Sequence, residues 1–127
     1  MKMKIDIVLA AYYIISICEN NTINNLRLQT LMYLSNIYLS KYCDEFEGYD
    51  DTFHRDKDFD IAFKSDKIHK EFGYLRPCTI QKENFEKNEL LNSSIKKSLD
   101  EFIYLFKDFS TFDLVTLANS ENNWEVD

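Results

Sequence analysis

Apolar positions along this chain recur at helical spacing near both ends, and a segment of different texture separates them. Between Ile5 and Cys18, the side chains of Val8, Ala11, Ile15 and Cys18 share one helical face, with Ile7 and Ile14 beside it. This predicts a helix over 5–18 that is apolar around most of its circumference and therefore central. The polar run from Glu19 to Asn25 breaks it, and Asn24 or Asn25 can cap a second helix reaching Tyr42. There Leu28, Leu31, Met32, Ser35, Tyr38, Leu39 and Tyr42 recur at helical spacing. Two apolar helices joined by a short connection are expected to pack as an antiparallel pair.

The C-terminal third is helical again. Leu91, Ile95, Leu99, Phe102 and Phe106 form a stripe, with Leu90 and Ile103 alongside. Ser110 followed by Asp113 has the form of a capping box opening a last helix through Leu114, Val115, Leu117 and Ala118. Trp124, the single tryptophan, is expected to fold back on the bundle, since a docked ring buries ~150–250 Å². The middle reads otherwise. Eight of the seventeen residues from Asp44 to Asp60 are acidic, after which Phe59, Ile61 and Phe63 alternate as in a strand. Thr52 to Arg55 is its expected partner, and Leu75 to Gln81 around Pro77 a further short edge strand. Ser65 or Asp66 then caps a short helix over Ile68 to Phe72. The pattern thus predicts a single, mainly α domain over 1–127. It is a compact bundle of about four to five helices, with a small β-hairpin or short-strand insertion in the middle.

Composition narrows the function. At 127 residues, with 45% hydrophobic and 15% aromatic side chains, one core forms without disulfides or structural metal. A net charge of −7 opposes binding to phosphate backbones and anionic lipid, and favours a basic protein partner. Cys18, Cys43 and Cys78 form no C-x-x-C pair and fit a reducing compartment. Asp6 interrupts the N-terminal resemblance to a leader, and the apolar run from Ile7 to Cys18 is too short to span a bilayer. A cytoplasmic protein with no membrane association is expected. Two glycines, Gly48 and Gly73, are too few for a P-loop or a G-x-G-x-x-G turn.

Candidate chemistry is sparse. His54 and His69 are not at metal-ligand spacing. The run Asp56-Lys57-Asp58-Phe59-Asp60 starts like a calcium loop, but Ile61 and Lys67 stand where glycine and a bidentate glutamate are required. Ser65, Asp66 and His69 have the residue types of a nucleophilic triad without a strained turn or an oxyanion hole, and a helix cap explains them better. The expectation is a non-catalytic binding domain with no metal and no cofactor. Its partner-binding residues are expected in the acidic segment, where Tyr49, Asp50, Asp51, Phe53, Asp56 and Asp58 set exposed aromatics among carboxylates on a loop.

Two segments carry more specific information. One is Asn25-Leu26-Arg27-Leu28-Gln29-Thr30-Leu31-Met32-Tyr33-Leu34-Ser35-Asn36, and the other runs from Ser110 through Asp113, Leu114 and Asn119 to Trp124. Together they resemble the Panacea antitoxin domain family, the SocA-like and GepA-like proteins of phages and other mobile elements. Asn25, Leu26, Leu28, Gln29, Leu31 and Tyr33 match its first motif, with Arg27 for its lysine; Ser110, Leu114 and Trp124 match its last, with Asp113 for its glutamate. The family's central A-W-K-Y-G-P-V-like segment corresponds to Ala62-Phe63-Lys64-Ser65-Asp66-Lys67, without the Gly-Pro turn, and its final His and Pro are replaced. The motif residues are expected to be mainly structural. The resemblance implies an antitoxin that neutralises a toxin by direct binding. A proteolytic adaptor that delivers the toxin to a protease is a related role. The alternative is a phage anti-defence protein, such as an anti-CRISPR inhibitor, whose carboxylates mimic phosphates.

Overall fold

Asp6 decides where the first helix begins. Its carboxylate accepts hydrogen bonds from the backbone N–H groups of Val8 (2.9 Å) and Leu9 (3.2 Å), so helix α1 spans Ile7–Ile17. Ile5, expected as the first residue of that helix, instead ends strand β1 (Met3–Ile5). The computed structural model describes residues 3–18, 22–57, 62–73, 79–81 and 91–120. Strand β2 (Thr22–Asn24) leads into α2 (Asn25–Tyr42), whose cap is Asn24, accepting from Arg27 N–H at 2.6 Å. Strand β3 (Phe46–Tyr49) pairs in parallel with β1, and β4 (Phe53–Arg55) pairs antiparallel with β5 (Phe63–Ser65).

A short α3 (Asp66–Phe72) follows, capped by Ser65 and ended by Gly73 at φ +94°, a conformation in which side-chain-bearing residues are strained. Strand β6 (Thr79–Gln81) pairs antiparallel with β2, and helices α4 (Ser93–Phe106) and α5 (Thr111–Ala118) complete the order. The capping box at the start of α5 is present: Ser110 Oγ accepts from Asp113 N–H, and the Asp113 carboxylate accepts from Ser110 N–H.

The fold is mainly α, with five helices and three two-stranded sheets among the described residues. Of the sheets, only β4–β5 is the hairpin expected in the middle; the pairings of β1 with β3 and β2 with β6 tie distant parts of the chain. The hub is α2 rather than α1. It packs against α1, α4, α5, β3 and β5, and Leu28, Leu31, Met32, Leu34 and Leu39 are almost wholly buried. The α4 stripe lies against it as expected, with Leu91, Ile95, Leu99, Phe102 and Phe106 all in the core. No helix among the described residues is long and apolar enough to cross a membrane. Trp124, Leu90 and the strand residues Phe59 and Ile61 lie outside the described residues.

Candidate functional site

The acidic segment is built into the scaffold. Tyr49, expected as an exposed anchor, is only 3% exposed: its ring packs on Phe46 and its hydroxyl shares a 2.8 Å hydrogen bond with Ser35 Oγ. The correction follows from strand β3, which lies against α2 and turns Tyr49 inward, where burial pushes the phenol pKa upward. Phe53 is half-buried, edge-on to Tyr33 at 5.5 Å. Asp50 Oδ1 accepts the Ile7 N–H at 2.8 Å, its second oxygen lies 3.1 Å from Lys67 Nζ, and its own N–H bonds Ile5 C=O. Asp51 accepts Ser65 Oγ–H at 2.6 Å and Lys67 N–H at 2.9 Å, at the start of α3. Asp56, 6% exposed, faces Lys64 Nζ at 3.6 Å.

Helix N-termini present unpaired N–H groups and a partial positive charge, so carboxylates placed there are stabilised. Asp6 and Asp50 together serve α1, and Asp51 joins Ser65 in serving α3. Much of the segment's acidity is therefore spent inside the molecule rather than displayed on a loop. Asp58 lies outside the described residues.

The motif at the start of α2 is a clamp. Gln29, 2% exposed, uses both ends of its amide on one residue: Nε2–H donates to Ser65 C=O at 3.1 Å, and Oε1 accepts Ser65 N–H at 2.9 Å. Asn25 Nδ2 donates to Phe72 C=O, holding the end of α3, and the half-buried Arg27 donates to Phe109 C=O at 2.7 Å, holding the α4–α5 connection. Leu28 is fully buried and Leu26 half-buried. Tyr33 stacks on Phe63 at 4.0 Å with an interplanar angle of 2°, and the Arg55 guanidinium lies over the Phe63 ring, 4.7 Å from its centroid. Arg55 also donates to Asn119 Oδ1 at 2.6 Å. These polar groups lock secondary elements together.

A different surface is left uncovered. Tyr104 on α4 is 70% exposed and Leu105 beside it is exposed too; Phe109 and Phe112, farther along the chain, are also exposed, Phe112 at 74%. On α4, Tyr104 points opposite the buried stripe, with Asp100 and Glu101 one turn before it and Asp108 just past the end of the helix. It forms a ridge between two grooves. One, of about 380 Å³, is walled by Tyr38, Asp100, Glu101, Tyr104 and Leu105; the other, of about 170 Å³, by Ile17, Asp100, Ile103, Tyr104 and Lys107. Tyr13 donates its hydroxyl to Asp100 at 2.6 Å, and burial first, then this bond and the nearby charge, raise the Tyr13 pKa. Tyr38 is buried, and burial first, then the charge of Glu101, raises its phenol pKa.

The apolar stripe of α4 marks only the opposite face of the helix, so the ridge does not follow from it. The signal was available: Tyr104 and Leu105 occupy positions that amphipathic periodicity reserves for polar residues.

Other groups are dispersed. His54 Nε2 lies 3.0 Å from Asp66 Oδ1, a hydrogen bond that raises the imidazole pKa above its usual value. Among the described residues, no group of three or more His, Cys, Asp or Glu side chains is placed to hold a metal ion. Comparison with models of known protein families, with curated proteins and with solved structures gave no match.

Proposed function

We propose that this chain is a non-catalytic protein-binding domain acting as an antitoxin, which neutralises a toxin by direct contact through the α4–α5 face. The observation that carries this reading is the exposed run Tyr104, Leu105, Phe109 and Phe112 on an otherwise well-packed helical scaffold. Aromatic side chains that remain in water lose little by being covered, and such residues dominate binding energy at protein interfaces. The resemblance of the Asn25–Asn36 and Ser110–Trp124 segments to the Panacea family supplies the antitoxin role. The clamp geometry supports a scaffold role for those motif residues, leaving the partner surface elsewhere.

Phosphate mimicry by the 44–60 segment, the basis of the anti-defence alternative, has fewer carboxylates to draw on. Asp50, Asp51 and Asp56 are engaged within the fold. The test is capture of partners from a bacterial host at physiological salt, followed by growth assays. A captured protein that arrests growth alone, and is silenced by the wild-type chain but not by Tyr104→Ala with Phe112→Ala, meets the expectation. A captured protein without growth effect, or full silencing by the double variant, refutes it.

A further inference from the structure

The larger groove combines aromatic faces, an apolar wall and negative charge. Tyr38 and Tyr104 flank it, Leu105 closes one side, and Asp100 and Glu101 stand on the α4 wall. Asp100 already accepts the Tyr13 hydroxyl. Glu101 is exposed, and its charge acts on Tyr38 across the groove. We infer that this groove receives a basic side chain, arginine above all, carried next to an apolar residue on a segment of the protein partner. The inference rests on the protein-binding reading above and names the chemistry of what is bound.

The carboxylates decide the occupant. Any surface that covers Tyr104 and Leu105 also strips water from Glu101 and Asp100. A carboxylate desolvated without a counter-charge costs more than the covered apolar area returns at one side chain. A neutral or acidic partner therefore loses by docking here, whereas a guanidinium recovers the cost twice. It forms charge-assisted hydrogen bonds to the carboxylates, and its flat face stacks on tyrosine.

A second copy of this chain fits poorly. Such a pairing brings together two chains that each carry −7. Lys107 lines the smaller groove, and its Nζ sits over the Tyr104 ring at 4.7 Å.

The test uses the whole chain labelled with ¹⁵N and titrated with acetyl-leucyl-arginine amide, with acetyl-leucyl-glutamate amide as the counterpart. Chemical shift changes centred on Tyr38, Glu101, Tyr104 and Leu105 with the arginine probe, and none with the glutamate probe, are expected. Glu101→Lys, at an exposed position that leaves the core untouched, is expected to weaken the arginine probe about tenfold or more. Equal responses to both probes, an unchanged affinity in Glu101→Lys, or shifts centred elsewhere overturn the inference. Concentration-dependent shifts at Tyr104 without any probe overturn it too, by showing that a second copy fills the groove. The growth assay separates the two readings. Loss of silencing in the ridge variant with no arginine response removes the cationic occupant and leaves the antitoxin reading intact. An arginine response without silencing does the reverse.

Discussion

Replacing Asp51 by alanine tests whether the acidic segment is scaffold or decoration. The half-buried carboxylate accepts three hydrogen bonds, from Ser65 Oγ–H (2.6 Å), Lys67 N–H (2.9 Å) and Thr52 N–H (2.9 Å). Thr52 is exposed, so water replaces that bond at little cost. The other two are charge-assisted and hold the first turn of α3, each worth ~1–2 kcal/mol at this degree of burial. Ser65 Oγ also loses the bond that orients it toward Ile68 N–H. The sum is about 3 kcal/mol, a fall of ~10 °C in Tm for a domain of this size.

Thermal and urea unfolding followed by far-UV circular dichroism measures it. A loss under about 0.5 kcal/mol is typical of plain surface positions and refutes the reasoning. Acid provides a second check. Burial opposes ionisation of Asp51, but the bonds from Ser65, Lys67 and Thr52 and the Lys67 charge outweigh it, so its pKa lies below the usual carboxylate value. A carboxylate lowered in the folded state stabilises above its unfolded pKa of ~3.9, and that contribution disappears as pH falls through the folded value. The stability gap between the parent chain and Asp51→Asn is therefore expected at neutral pH and should close in acid, below about pH 4.

Gln29→Ala strands both backbone groups of the fully buried Ser65 and is expected to cost about 3 kcal/mol by urea denaturation. Because Gln29 and Asp51 meet at Ser65, their double variant should be less destabilised than the sum of the singles, a coupling that a double-mutant cycle reads directly. Ser110→Ala breaks the capping box of α5 and should lower stability by about 1 kcal/mol, while the helix itself persists in circular dichroism. The His54 imidazole should titrate above ~6.5 by NMR and return toward that value in Asp66→Asn. A His raised in the folded state stabilises at low pH and loses that contribution as pH rises through its folded pKa. With both partners exposed, little change in Tm is expected.

Helical periodicity made the main elements legible. The α4 stripe, the cap at Asn24, the cap at Ser65 and the box at Ser110 and Asp113 all stand where residue type and spacing placed them. The β4–β5 hairpin was also readable, from alternation around Phe63. What escaped were three-residue strands such as β1 and β2, too short for any period to register and defined by partners more than forty residues away. The acidic segment was misread for a related reason. Charge density in a sequence says nothing about whether a carboxylate faces water or the N–H groups of a helix contributed by another part of the chain. Tyr49 shows the same limit, because only the pairing of β3 turns it toward Ser35.

The corner at Asp50 and Asp51 has a consequence for how the molecule folds and opens. Adjacent residues hold the beginnings of two helices, α1 from 43 positions downstream and α3 from about 15 positions upstream. A helix of seven residues such as α3 has no independent stability in water, and its first turn forms only once this corner is in place. Both helix starts are therefore tied to one short stretch of chain. Amides at the beginnings of α1 and α3 should exchange with solvent in one shared opening event, so the two ends of a long chain segment behave as a single cooperative unit.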